Sequence, residues 1–166
     1  MFSLALALAL QDVGIPELGV RVFSKTAGFR HESIADGRLM MSTLGRESAW
    51  MITFTENSKQ FVDALPRVRV VVFLNTTGDV LDDKQQEAFE KWYKNGGGFV
   101  GIHAAADTEH DWPWYGKLVG AYFKTHPAIQ NASVVIEDSK HPAMKHLPMT
   151  WYRSDEWYDY ETNPRK

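Results

Sequence analysis

The sequence contains no cysteine. This absence excludes disulfides, thiolate metal sites and cysteine nucleophiles together. It does not identify the compartment, because a domain of 166 residues buries enough apolar surface to fold without covalent cross-links.

Positive charge is also scarce. Eighteen Lys and Arg residues stand against 21 Asp and Glu residues, which gives a formal net charge of −3. A protein that binds a phosphate backbone needs a basic face, so the composition argues against a nucleic-acid partner. A hydrophobic content of 44% and a charged content of 23% are ordinary for a single globular domain.

No apolar run long enough to span a bilayer is present, and we expect no transmembrane segment. The N-terminal run MFSLALALAL has the length of a signal-peptide core, with Ala5-Leu6-Ala7 or Ala7-Leu8-Ala9 as a cleavage site. No Lys or Arg precedes it, so a misassigned start or a segment packed on the domain is the alternative. We therefore expect residues 1–18 to be a signal peptide and leader of a secreted or periplasmic protein, with a cytoplasmic location as the alternative.

The remaining residues, 19–166, show strand and helix patterns in alternation. Four strands are predicted at Gly19–Phe23, Ser48–Thr55, Val68–Asn75 and Phe99–His103. The third is almost continuously apolar, as in a strand covered on both faces. This order predicts an α/β fold with an open parallel, flavodoxin-like sheet and helices on both faces.

Two helices are predicted between these strands. The first, from about Ser33 to Gly45, is expected to bury a face formed by Ile34, Leu39, Met40 and Leu44. The second begins at Asp82, with Gln85 three residues later as in a capping box, and ends before the glycines that follow Asn95. Its helical spacing predicts core positions for Phe89, Trp92 and Tyr93.

Ligands of open parallel sheets bind outside the carboxyl ends of the strands. Three polar loops are predicted there, at Lys25–His31, at Asn75–Asp79 and after His103. The segment Gly101-Ile102-His103-Ala104-Ala105 has the strand-to-turn placement of a nucleophile elbow, with histidine at the central position. An imidazole there can act as an acid, a base or a metal ligand, the alternative being a hydrogen-bonded histidine with no further role.

Four segments resemble successive blocks of the trehalose-utilisation (ThuA-like) family: FSKTAGFRHESI, VVVFLNTTGDVL, GGGFVGIHAAADTEHDWPWYGKLVGAYFKTHPAIQ and RSDEWYDY. The resemblance runs from about residue 20 to residue 160 and implies a class I glutamine amidotransferase-like fold. It also implies a role in the metabolism of trehalose or related, including 3-keto, sugars. In that family the sheet continues further, so we expect this chain, which stops at Lys166, to lack the C-terminal part of the domain.

Three histidines fall in these family-like blocks, and they are His31, His103 and His126. Asp155 and Glu156 fall in the last block. Imidazoles with a carboxylate suit a divalent metal such as zinc. The spacing gives no compact metal motif, so hydrogen-bonded loop histidines are the alternative. The predicted catalytic residues are His103 and His31.

A small-molecule carbohydrate is the expected partner. Besides Asp155 and Glu156, the expected substrate contacts are Lys25, Arg30, Asn75 and Asp79, with Trp112 and Trp114 as a platform for an apolar sugar face. The alternative for the two tryptophans is that they close the flank of the domain. The reaction is left open between a hydrolase, a lyase and an isomerase, without glutaminase activity. The alternative function is a non-catalytic sugar-binding or interaction module, or an inactive truncated copy.

Overall fold

The structure, a computed structural model, describes residues 18–165. All but the last residue of the predicted signal peptide and leader, residues 1–17, lie outside the described residues. The parallel strands are β1 (Gly19–Phe23), β2 (Met51–Thr55), β3 (Val70–Leu74) and β4 (Gly98–Ile102). The helices are α1 (Ile34–Ser48), α2 (Ser58–Ala64), α3 (Asp83–Lys94) and α4 (Pro113–Val119). The later strands are β5 (Phe123–Thr125), β6 (Gln130–Val135), β7 (Thr150–Asp155) and β8 (Asp159–Tyr160).

The four early strands form one parallel sheet in the order β2-β1-β3-β4. Two separate apolar clusters cover it, one containing Phe61 of α2 and Phe89 of α3, the other containing Met41 of α1. The predicted α/β fold with an open parallel sheet and helices on both faces is therefore confirmed. Within residues 18–165, none of the helices combines the length and the apolarity needed to cross a bilayer.

Helix α3 begins and packs as its sequence predicts. The Asp82 side chain accepts a hydrogen bond from the Gln85 backbone N–H, and the Gln85 side chain accepts one from the Asp82 N–H. Phe89 is fully buried and Trp92 packs against the same cluster, whereas Tyr93 is 37% exposed. The capping box and two of the three predicted core positions are confirmed.

The predicted apolar face of α1 is right at Ile34, which is buried, and wrong at its other three residues. Leu39, Met40 and Leu44 are 65%, 46% and 38% exposed. The helix approaches the sheet through glycine instead, because a Cβ at Gly37 would lie 2.7 Å from Cδ1 of Leu74. The contact stripe is formed by small residues together with Ile34 and Met41, and the large apolar residues turn away from it.

After α4 the chain builds two antiparallel strand pairs, β6 with β7 and β5 with β8, outside the parallel sheet. Because β7 and β8 flank residues 156–158, these pairs determine where the last family-like block lies.

A buried carboxylate fixes the loop that leads into α3. Glu109 is fully buried, and its Oε1 accepts hydrogen bonds from the backbone N–H groups of Val80 (2.7 Å) and Leu81 (2.8 Å). Its Oε2 accepts a hydrogen bond from Nε2 of Gln86 at 2.6 Å. Removing this side chain would leave two backbone donors without a partner in the interior.

We expect Glu109→Ala to lower the free energy of unfolding by about 2–4 kcal/mol, because two buried backbone N–H groups would lose their hydrogen-bond acceptor. Glu109→Gln keeps an acceptor oxygen for both N–H groups and is expected to cost less than half as much. Urea unfolding of the two variants measures the difference. Equal midpoints for the two variants would contradict this role of Glu109.

The same residue gives a pH dependence. Burial raises the pKa of the Glu109 carboxyl, against the lowering effect of its hydrogen bonds to Leu81, Val80 and Gln86. The folded state therefore binds the proton more tightly than the unfolded state does. Relative to Glu109→Gln, the wild type is expected to lose stability as the pH rises from the ordinary carboxyl range through the raised pKa.

Candidate functional site

Two neighbouring strands end in residues with left-handed backbone conformation. Asn75 follows β3 and His103 follows β4, and both have φ of 50°. This conformation is strained for a residue other than glycine and is often found at functional sites. At His103 it gives the sharp strand-to-turn geometry typical of a nucleophile elbow.

Three imidazoles meet one carboxylate at this edge of the sheet. Oε2 of Glu156 lies 3.0 Å from Nε2 of His103 and 3.6 Å from Nε2 of His31. Oε1 of Glu156 lies 3.2 Å from Nε2 of His126. The loop after β1, the end of β4, the segment after β5 and the loop between β7 and β8 each supply one residue. We call these four residues the histidine–glutamate centre.

Aromatic rings surround this centre. The ring of Tyr158 lies 4.3 Å from that of His103 and 4.3 Å from that of Phe123. The His31 ring packs edge-on against His103 at 4.8 Å and against Phe29 at 4.9 Å. Burial, aided by the Glu156 carboxylate, raises the pKa of the Tyr158 phenol well above its usual value. The phenol therefore keeps its proton at neutral pH.

Sequence reasoning missed Tyr158, although it lies in the RSDEWYDY block. A usable signal was its spacing from Glu156, because residues two apart in an extended segment project to the same side. The predicted list stopped at the two carboxylates of that block.

The surroundings of His103 affect its pKa, and those of His126 affect its hydrogen bonding. Burial and the neighbouring His31 lower the pKa of His103, and Glu156 only partly opposes them, so its neutral form is favoured. Nδ1 of His126 lies 2.9 Å from the carbonyl oxygen of Pro127. Since a carbonyl can only accept, this nitrogen carries the proton. A neutral His126 therefore presents the lone pair of Nε2 to the Glu156 carboxylate, which is repulsive unless a proton or a cation lies between them.

No Lys or Arg within residues 18–165 forms an ion pair with Glu156. One ligand atom each from His31, His103 and Glu156 lies within 4.8 Å of the others. Two imidazoles and one carboxylate with an open fourth position are a common ligand set for a catalytic divalent metal. His126 contacts the other oxygen of Glu156 and is not part of this set.

The structure gives other partners to two predicted substrate contacts. Nζ of Lys25 donates to Oγ of Ser58 (2.8 Å) and to the carbonyl oxygen of Val80 (3.0 Å). The guanidinium of Arg30 forms a two-pronged pair with Glu56 at 2.8 and 3.0 Å, which raises the pKa of Arg30. Both cations therefore have partners within the fold, and they connect the loop after β1 to other segments.

Of the remaining polar residues predicted to contact substrate, two border a cleft beside His103 and one does not. Nδ2 of Asn75 donates to Oγ of Ser33 at 2.9 Å, and Asn75 borders a cleft beside His103. Asp155 borders the same cleft and pairs with Nε of Arg153 at 2.6 Å. Asp79 is exposed on the loop after β3.

Trp112 and Trp114 pack on the aromatic core. Their ring centroids lie 6.4 and 5.9 Å from that of Phe89, and the Trp114 ring also lies 5.6 Å from that of Tyr93. These contacts correspond to the alternative in which the tryptophans close the flank of the domain. Both rings pack against α3.

Comparison with known proteins agrees with this architecture. The chain is similar to a protein described as ThuA-like from Bacteroides uniformis, with a TM-score of 0.77 and 25% identity over 91% of this chain and 64% of that one. It has the fold of another protein described as ThuA-like, from Parabacteroides merdae, with a TM-score of 0.72 and 18% identity over 86% of this chain and 63% of that one. The chain thus spans somewhat less than two thirds of both solved structures. No curated protein matches it significantly.

A family model described as trehalose utilisation matches residues 19–166, which include every residue of the histidine–glutamate centre. The chain belongs to the trehalose-utilisation (ThuA-like) family.

Proposed function

We propose that this protein processes trehalose or a related disaccharide, including a 3-keto form, at the histidine–glutamate centre. Family membership supports a role related to trehalose utilisation. The observation that carries the proposal is the convergence of three imidazoles on Glu156 at the carboxyl edge of the sheet, where open α/β folds bind their ligands.

The centre fits a divalent metal such as zinc. Its carboxylate is 24% exposed, and no Lys or Arg among the described residues pairs with it. The pKa of His103 is lowered, which favours the neutral form that ligates metals. His31, His103 and Glu156 would hold the ion.

A metal bound there would supply a Lewis acid for a carbonyl, hydroxyl or water oxygen. The residues around it would orient the sugar. Tyr158, whose phenol stays protonated, would donate a hydrogen bond to a substrate oxygen near His103. Asn75 and Asp155 would contact sugar hydroxyls from the adjacent cleft. His126, on the exposed side of Glu156, is placed to take up or release a proton.

The metal part of the proposal predicts that zinc, nickel or manganese survives dialysis in stoichiometric amount. At a hundredfold excess over its Kd, the metal should stabilise the protein by about 2.7 kcal/mol, since only the folded chain assembles the centre. His103→Ala and Glu156→Gln should abolish both effects. His141→Ala, at an exposed histidine outside the centre, is the control and should retain them.

Elemental analysis and thermal unfolding with each metal provide the measurements. A metal-free protein whose melting temperature is unchanged by every metal would leave only the hydrogen-bonding interpretation of these histidines.

The carbohydrate part predicts that trehalose or its 3-keto derivative binds in calorimetric titration and that nucleotides do not. The loop after β1, SKTAGFRH, lacks the glycine spacing with which backbone amides hold a pyrophosphate. His103→Ala should weaken sugar binding roughly tenfold, as expected when a hydrogen bond to a charged or polarised group is lost. His141→Ala should bind like the wild type.

Binding of nucleotides without any sugar would refute the carbohydrate assignment. Sugar binding without turnover of either sugar would support the alternative of a non-catalytic binding module.

We also propose that the protein has no glutaminase activity. That chemistry needs a thiolate at the elbow, and the sequence places His103 there and contains no cysteine. Ammonia release from glutamine should equal the rate in buffer for the wild type and for His103→Ala. Release that exceeds the buffer rate and disappears in His103→Ala would contradict this expectation.

A further inference from the structure

A cleft of about 580 Å³ opens beside His103 on the α1 side of the sheet. It lies between the first turns of α1, the ends of β3 and β4, and the end of β7. Its lining includes His103 but neither tryptophan of the aromatic flank. A ligand in this cleft would therefore reach the histidine–glutamate centre from the side opposite to Trp112 and Trp114.

One wall of the cleft offers a buried hydrogen-bond acceptor. Asn75 is 3% exposed, and its Nδ2 is used by Ser33. Its Oδ1 is buried and has no hydrogen-bond partner among the residues that the structure describes. A polar atom left in this state is costly. Asn75 and Ser33 thus give the cleft a polar stretch of lining, which suits a partner with hydroxyl groups.

Another part of the cleft lining is apolar. Met40, which is 46% exposed, lines the cleft together with Leu74 and Ile102. The close approach of Gly37 to Leu74 brings α1 down onto the sheet, so Met40 stands at the rim of the cleft. A methionine side chain is flexible and polarisable, which suits the apolar C–H face of a sugar ring.

The charge of the cleft is negative. Asp36 and Asp155 contribute two carboxylates, and Arg153, already paired with Asp155 at 2.6 Å, contributes one compensating charge. Lys25 and Arg30 are held by partners elsewhere. A phosphate or carboxylate entering this cleft would meet an unbalanced Asp36 and would be repelled.

From these three features we infer that the cleft is the sugar subsite of the centre and that it accepts an uncharged sugar ring while rejecting a phosphorylated one. Met40 and Asp36 are its specificity residues: Met40 supports the ring, and Asp36 repels anions. The inference rests on the proposed function, because it places the sugar that the centre would process.

The test is calorimetric titration of the full chain with trehalose and with trehalose 6-phosphate at low salt. The wild type should bind trehalose more tightly than its phosphate. Met40→Ala should weaken trehalose binding roughly fivefold, because part of the apolar contact is lost. Leu39→Ala is the matched control, since Leu39 is the adjacent exposed residue of α1 and does not line the cleft.

Asp36→Asn keeps a hydrogen-bonding side chain and removes the charge. It should tighten binding of trehalose 6-phosphate roughly fivefold at low salt and leave trehalose binding within twofold. Glu47→Gln removes an exposed charge at the other end of α1 and should change neither affinity. Because these residues are exposed, we expect the variants to remain folded. Melting curves check this.

The outcomes separate the two proposals. A wild type that binds none of trehalose, its 3-keto derivative and trehalose 6-phosphate would refute the proposed function itself. If trehalose binds and Met40→Ala behaves like Leu39→Ala, the function stands and the cleft is not the subsite. Equal affinity of the wild type for trehalose and its phosphate would refute the role of Asp36.

Discussion

Backbone hydrogen bonds between β1, β3 and β4 set the register on which the site depends. Phe23 lies beside Phe73, and Phe73 lies beside Gly101, so the three strands end at nearly the same level. The loops that carry His31, Asn75 and His103 therefore start from one edge. Parallel pairing alone would bring these loops near each other, and the left-handed backbone at Asn75 and His103 turns both chains sharply at that edge.

The carboxyl edge of the parallel sheet has few unpaired cationic side chains, and its chemistry follows from this. Lys25 and Arg30, the nearest cations in the first loop, are held by Ser58, Val80 and Glu56. Among the described residues Glu156 pairs with imidazoles and with no Lys or Arg, and the adjacent cleft is acidic. The same charge distribution that favours a divalent cation at the centre disfavours an anionic substrate beside it. The proposed metal and the proposed uncharged sugar thus both follow from one electrostatic arrangement.

Much of the sheet could be predicted from the sequence, because its signals are local. The continuous apolar run at β3 and the capping box before α3 depend on residues close together in the chain. The face of α1 could not be predicted from large apolar residues, since Gly37 allows an approach that Leu39 and Met40 would block. Because α1 contacts the sheet through its small residues, Met40 lies at the cleft.

The site itself was only partly predictable. Its histidines and Glu156 were found from the family-like blocks, because these contain the residue types that the chemistry needs. The partners of Lys25 and Arg30 come from loops distant in sequence, and no pattern within the SKTAGFRH segment reveals them. The packing of Trp112 and Trp114 on Phe89 likewise depends on the tertiary position of α4, so the sequence left both alternatives open.

The strand pairs β6–β7 and β5–β8 are not hydrogen-bonded to the parallel sheet. Holding their residues in the site therefore costs conformational entropy. Glu156 is delivered by the loop between β7 and β8, from the far end of the chain relative to His31. Closing so long a loop is costly, and contacts of this kind form late in folding. Local opening of β5–β8 would disperse the centre while leaving the aromatic core intact. A ligand that bridges Glu156 and the imidazoles would act as a cross-link, and its binding would be reported first by slower amide exchange in these two strand pairs.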